Sequence, residues 1–278
     1  MISSSGFANA SYAFSATSPY HKTGSGYETG PDFIISRKMS TFAWMKKRII
    51  AGKRCIVFAD EAPGILLVEP MDERDLEFLD KEIETLKSGT DRPFALAALI
   101  IDDWNKELTP WAAEPVFGKE PFGDGAPATL SLIEKELIPE TEAVFPTLKG
   151  ADRILGGYSL AALFALWCAY EGHSFTGIAA ASPSVWYPGW MEFVRSHKPS
   201  ARNIYLSLGD KEYKSRNKTM ATVEDCIREY AGILSESDCV NTTLEWNPGN
   251  HFADADKRTA KAFLWTMKHA VSPGLSGE

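Results

Sequence analysis

Ser159 lies in the run Gly157-Tyr158-Ser159-Leu160-Ala161, and that spacing suits a nucleophile. A G-x-S-x-A pattern puts a serine on a sharp strand-to-helix turn, where its hydroxyl stands clear of the sheet. The helix packs close to such a turn, so the positions two before and two after must be small. Gly157 and Ala161 meet that need. The first N–H groups of the following helix then point at the reacting atom and can stabilise an anion. A serine hydroxyl is a weak nucleophile at neutral pH, so the chemistry also needs a base and a group to orient it. An imidazole can take the proton during attack and return it to the leaving group. A buried carboxylate fixes the imidazole tautomer and stabilises the imidazolium. With this elbow the chain order is serine, acid, histidine.

Both partners are on offer downstream. A strand at 204–208 ends in Gly209-Asp210-Lys211-Glu212, which supplies two carboxylates, Asp210 and Glu212. A strand at 242–246 ends in Asn247-Pro248-Gly249-Asn250-His251-Phe252. A histidine in a Pro/Gly loop between a strand and a helix is well placed as the base. His21 and His173 sit at the wrong elements, His197 lies in a basic stretch with no strand before it, and His269 falls late in the last helix, where it reads as solvated. Two N–H groups must meet the oxyanion. Leu160 supplies one by position, and the loop after strand 65–69 supplies the other, with Met71 first and Asp72 next. No cluster of His, Asp, Glu or Cys has metal-ligand spacing, so neither a metal nor any other cofactor is expected.

Those residues need elements to hold them. The elbow alone is modest evidence, since a chain of this length meets the pattern by accident roughly one time in four or five. The context carries more weight. Residues 64–69 and 94–101 are continuous apolar runs, as in strands covered on both faces. Further strands read at 33–36, 54–58, 153–155 and 177–181. Helices read from Asp72 to Gly89, with Leu76, Leu79, Ile83 and Leu86 at helical spacing, and at 128–137, 160–170, 220–234 and 254–270. Residues 111–127 read as irregular, followed after the 128–137 helix by a Pro-bounded segment to Phe145. Strands alternating with helices imply parallel β-α-β units and one open sheet. A single α/β domain over 1–278 fits, with 1–30 an extended or loose lead-in.

Composition excludes several classes. The 278 residues are 44% hydrophobic and 24% charged, as in a globular protein with a sizeable core. A net charge of −8 gives no basic footprint for nucleic acid and disfavours an anionic membrane surface. No apolar run reaches spanning length. Four well-separated cysteines (Cys55, Cys168, Cys226, Cys239) read as reduced thiols. The start of the chain lacks a secretory pattern, and a cytoplasmic location is expected. The sequence sets no oligomeric state.

Four runs together resemble a known family. They are Gly156-Gly157-Tyr158-Ser159-Leu160-Ala161, Ala181-Ser182-Pro183-Ser184-Val185-Trp186, Gly209-Asp210-Lys211-Glu212 and Gly249-Asn250-His251-Phe252. In order and approximate spacing they resemble the putative-esterase family of α/β hydrolases. That family includes esterase D (S-formylglutathione hydrolase), feruloyl esterases, enterobactin-type siderophore esterases and mycolyl transferases. The likeness covers about 150–270. It implies the α/β-hydrolase fold, a mostly parallel sheet with helices on both faces. It implies Ser159 as nucleophile and His251 as base. The G-x-x-E ending of the siderophore-esterase branch implies Glu212 as the acid, ahead of Asp210. Two departures stand out. Glu69-Pro70-Met71-Asp72 replaces the Asp-Gly turn of many relatives. The region before residue 60 is also short for the extra N-terminal domain of the siderophore-esterase kind.

A small-molecule ester is therefore the expected substrate, cleaved through an acyl-enzyme. An acyltransferase on the same fold, or a binding protein that kept the fold, would share these motifs. Aromatic residues gather where the site of such a sheet lies, outside the carboxyl ends of the strands. Trp104 and Trp186 are the candidate substrate contacts, with Trp111, Phe117, Tyr187 and Phe252 nearby. Trp167, Trp190 and Trp265 read as packing residues.

Overall fold

In the computed structural model, which describes residues 44–270, a hairpin comes first. β1 (Trp44–Ile50) turns into β2 (Lys53–Ala59) through Ala51 and Gly52, whose φ values are 47° and 81°. Two consecutive positive φ angles give the turn a twist that matches the strands it joins. The parallel strands follow as β3 (Ile65–Met71), β4 (Ala95–Ile100), β5 (Asp152–Tyr158), β6 (Gly177–Ala181), β7 (Asn203–Gly209) and β8 (Asn241–Asn247). All eight form one sheet in the order β1-β2-β4-β3-β5-β6-β7-β8. β2 runs antiparallel to β1 and β4, and every other pairing is parallel.

The helices cover both faces. α1 (Leu79–Gly89) and α8 (Ala255–His269) pack on one face, where Ile83, Leu86, Phe263 and Met267 meet Ile65, Leu67 and Tyr205. The other face takes α3 (Ala126–Leu132), α4 (Ile138–Val144), α5 (Leu160–Glu171), α6 (Trp190–Ser196) and α7 (Val223–Ser235), over Leu66, Val68, Leu155 and Ile204. The remaining helix, α2 (Trp104–Glu107), is a single turn after β4. Ten of the twelve residues of α5 are buried, so this helix is apolar all round. Among the described residues, no helix is long and apolar enough to cross a membrane.

Several elements differ from the sequence reading. The helix expected at 128–137 starts at Ala126 and runs on through Val144, with a π-helical turn at Ile133–Leu137. Pro139 explains the turn. It has no N–H to give and would crowd the carbonyl four residues back. The chain widens there, and Ile138 N–H donates to Ile133 O, five residues behind. The helix from Asp72 divides into a 3-10 turn at Glu73–Glu77 and α1, with the Asp72 carboxylate capping the turn. β1 and α6 were not foreseen. The lead-in at 1–30 and the strand read at 33–36 lie outside the described residues.

Candidate active site

The site is assembled at the carboxyl ends of β3, β5, β6, β7 and β8. Ser159 joins β5 to α5 with φ 60° and ψ −119°, a conformation that costs a non-glycine residue strain. The strain lifts the side chain off the sheet. A Cβ on Gly157 would sit 2.7 Å from the Ala161 Cβ, which is why both flanking positions are small. The Ser159 carbonyl accepts from Ser184 N–H at 3.1 Å, which anchors the elbow to the segment after β6.

Ser159, His251 and Glu212, the acid that the resemblance implied, are in contact. Ser159 Oγ lies 3.1 Å from His251 Nε2, and His251 Nδ1 lies 2.7 Å from Glu212 Oε2. Glu212 opens a 3-10 turn directly after β7 and is buried. Asp210 is exposed, and its Oδ1 instead accepts Gly249 N–H at 2.8 Å, pinning the loop that carries His251. The two carboxylates left open by the sequence thus do different things: one holds the imidazole and the other holds the imidazole's loop.

The second oxygen of Glu212 is fully engaged. Oε1 accepts Gly209 N–H at 2.7 Å and the Ser182 hydroxyl at 2.8 Å, and Arg258 Nη1 stands 3.3 Å away. Burial by itself pushes the Glu212 carboxyl up. The hydrogen bond and charge of His251, with the Gly209 and Ser182 donors, outweigh burial and hold it below the usual carboxylate value. The carboxylate is therefore kept ionised, as the orientation of an imidazole requires.

The sequence reading passed over four contributors. The Ser184 hydroxyl is buried 3.3 Å from Ser159 Oγ. Ser182, with φ 45°, holds Glu212. Tyr158 OH donates to the His251 carbonyl at 2.8 Å. Arg258 in α8 meets Glu212. The two serines flank Pro183 within the run 181–186, and that setting is a signal in the sequence. Arg258 gave no signal, because an arginine in an amphipathic helix reads as solvated.

For the oxyanion, Leu160 is the first residue of α5, so its N–H has no partner within the helix. Met71 ends β3, which pairs beside β5 up to Val68–Leu155, and its carbonyl accepts Ile101 N–H at 2.9 Å. Met71 and Asp72 therefore leave the sheet at the same end as Ser159, one strand over. Of the tryptophans, Trp104 is half-buried at the start of α2, and Trp186 is buried with its ring 6.1 Å from Phe117 and 6.3 Å from Phe122. Phe252 is 83% exposed and stands edge-on to the His251 ring at 5.5 Å. Trp167 and Trp190 are buried in the core. His269, expected to be solvated, is half-buried 4.1 Å from the Trp265 ring. Among the described residues, no group of three or more His, Cys, Asp or Glu could hold a metal ion.

A mostly parallel sheet of this order, with a serine elbow after β5, defines the α/β hydrolases, here of the serine-esterase class. The sequence model of the family described as "Putative esterase" matches residues 100–231, so the chain is similar to that family over this span. Ser159 and Glu212 fall inside that span, and His251 lies beyond it. No curated protein sequence matches the chain. Solved structures do. The siderophore hydrolase EstA from Aspergillus nidulans superposes with a TM-score of 0.61 at 20% identity, over 82% of this chain and 94% of that one. An IroE-like serine hydrolase from Shewanella oneidensis gives 0.69 at 14% identity, over 82% and 81%. The enterobactin hydrolase IroE in complex with DFP gives 0.62 at 17% identity, over 82% and 96%. At these identities the likeness speaks for the fold.

Proposed function

We propose that Ser159, His251 and Glu212 form the catalytic triad of a carboxylic-ester hydrolase that works through an acyl-enzyme. The observation that carries this reading is the unbroken chain of contacts, 3.1 Å from Ser159 Oγ to His251 Nε2 and 2.7 Å from His251 Nδ1 to Glu212 Oε2. Ser159 Oγ attacks the ester carbonyl while His251 Nε2 takes its proton. The Glu212 carboxylate holds the Nδ1–H and stabilises the imidazolium. The carbonyl oxygen, now an anion, meets Leu160 N–H and a second N–H from Met71 or Asp72. His251 then protonates the leaving alcohol, and a water activated by the same imidazole releases the acid. One domain carries all of these groups.

The substrate we propose is an ester with an aromatic or bulky acyl portion. Trp104 and Trp186 are the residues we assign to its aromatic wall, and the Trp186 ring packs beside Phe117 and Phe122. Phe252 presents its exposed ring beside the base. The siderophore hydrolases of the same fold make siderophore esters a substrate class to try, beside feruloyl esters, S-formylglutathione and p-nitrophenyl esters of graded acyl length. We further propose a cytoplasmic location, which the four free thiols support.

A fluorophosphonate probe tests the nucleophile. Wild-type protein is expected to be labelled at Ser159, and Ser159→Ala is expected to lose both labelling and ester turnover. Equal labelling of the two proteins would refute the reading.

A further inference from the structure

A triad needs three side chains, yet this site contains a fourth, buried and charged. Arg258 lies in the first turn of α8, and its side chain is only 3% exposed. Its guanidinium reaches four segments at once. Nη1 lies 3.0 Å from Tyr158 OH at the end of β5, 3.3 Å from Ser182 Oγ after β6 and 3.3 Å from Glu212 Oε1 after β7. Nη2 donates to Pro248 O, in the loop after β8, at 2.9 Å. Tyr158 passes the link on, since its hydroxyl donates to the His251 carbonyl. A buried guanidinium is costly unless its donors are used and its charge is met. Here Glu212 meets the charge. Room for this approach is reserved: a Cβ on Gly209 would lie 3.0 Å from Nη1 and 2.5 Å from Gly249 O.

We infer that Arg258 is a positioning residue for the esterase reaction. Its planar fork ties the acid-bearing and base-bearing loops to the strand that carries the nucleophile. Its charge, 3.3 Å from Glu212 Oε1, opposes a second positive charge on the adjoining imidazole. This inference rests on the triad reading of Ser159. A lysine keeps the charge but cannot serve Pro248 O, Tyr158 and Glu212 with one rigid fork. The two contributions are therefore separable.

The groups facing Arg258 and Glu212 are few. Tyr158 on β5 is pushed up to about 12 by burial and stays neutral in the working range. Burial also raises Tyr205 on β7. Asp254, just before α8, is held low by Lys257 and stays ionised. Glu212 is held low by His251 and its hydrogen bonds against the effect of burial. Of this set, only the imidazole belongs to a residue type that ordinarily titrates between pH 5 and 8.

The test compares wild type with Arg258→Gln, Arg258→Lys and Tyr158→Phe. Rates are expressed per site titrated with a fluorophosphonate, and the acid limb of kcat/KM is followed with pH. Arg258→Gln is expected to lose kcat by roughly tenfold or more and to move the acid limb up by about one pH unit. Arg258→Lys and Tyr158→Phe are expected to lose kcat several-fold with the limb in its wild-type place. The His251 imidazole, titrated by NMR, is expected to show the same upward displacement in Arg258→Gln, and this readout does not depend on turnover. An Arg258→Gln limb and imidazole titration that coincide with wild type would overturn the inference while leaving the triad reading standing. A wild type that neither labels nor turns over defeats the triad reading, and the imidazole titration still decides what Arg258 does to His251. If Arg258→Gln does not fold, the other two variants decide: wild-type kcat in both overturns the positioning role.

Discussion

At the scale of single residues, the decisive distinction is between two carboxylates two positions apart. Glu212 is buried on the imidazole, and Asp210 is exposed on Gly249 N–H. Glu212→Gln keeps the shape and removes the charge that fixes the tautomer. It is expected to lower kcat on a p-nitrophenyl ester on the order of a thousandfold or more. Asp210→Asn retains an acceptor for Gly249 N–H and is expected to change kcat by no more than about threefold. A large loss in Asp210→Asn with near-normal Glu212→Gln would reverse the assignment. The sequence offered both acids because both follow Gly209 at the end of a strand. Which one turns inward depends on the 3-10 turn at Glu212–Lys214, and residue type alone does not announce that turn. His251 was legible for the opposite reason. Its place between a strand, a Pro/Gly loop and a helix is a matter of order along the chain. Arg258 was illegible, because its value comes from four partners that sequence separates by as much as 100 positions.

At the scale of elements, the site depends on how closely backbone segments approach. β7 and the loop after β8 meet at Gly209, where a Cβ would strike Gly249 O at 2.5 Å and Glu212 Oε1 at 2.9 Å. The first contact is with backbone and cannot yield cheaply. Gly209→Ala is expected to destabilise the fold by about 1–3 kcal/mol and to slow fluorophosphonate labelling at Ser159. A thermal melt and a labelling time course read the two effects, and unchanged values in both would show that the loops have slack. Strands β3 to β7 were legible because apolar runs and turn residues mark buried strands, and β8, half-buried at the sheet's edge, by its alternation. β1 was not. As an edge strand it carries Lys46, Lys47 and Arg48 along its length, which protects the edge and hides the strand pattern. The join of α3 and α4 was read as a break because Pro139 usually ends a helix, whereas here a π turn absorbs it.

At the scale of the whole molecule, the carboxyls that fold into the interior set how stability depends on pH, and they pull in opposite directions. Glu212 is held below the usual carboxylate value. Its contribution is present above that value and is lost as pH falls through the lower one. Glu69 on β3 and Glu82 on α1 behave in reverse. They face one another between the sheet and α1, each nearly free of solvent, and each keeps one carboxyl oxygen without a partner. Burial, with the neighbouring acid charge of Asp75, pushes Glu69 up to about 8, and burial together with Glu69 raises Glu82. Acids whose values rise on folding stabilise fully below the ordinary carboxylate range, and that stability is lost as pH climbs through the raised value. The fold should therefore weaken on both sides of a mildly acidic to neutral optimum. Net charge confuses the alkaline side, since a chain already at −8 repels itself more as pH rises. A matched pair of variants removes that confusion. Glu82→Gln and Glu84→Gln delete the same charge from the same helix, but Glu84 is exposed. At pH 8.5 Glu82→Gln is expected to raise Tm by roughly 2–4 °C, as about 1 kcal/mol would in a chain of this size. At pH 5.5, nearer the ordinary carboxylate value at which the penalty begins, its gain should shrink, and below about pH 4 it should vanish. Glu84→Gln should move Tm little at either pH. Equal gains from both variants at pH 8.5 would assign the alkaline weakness to overall charge and leave the buried pair without that role.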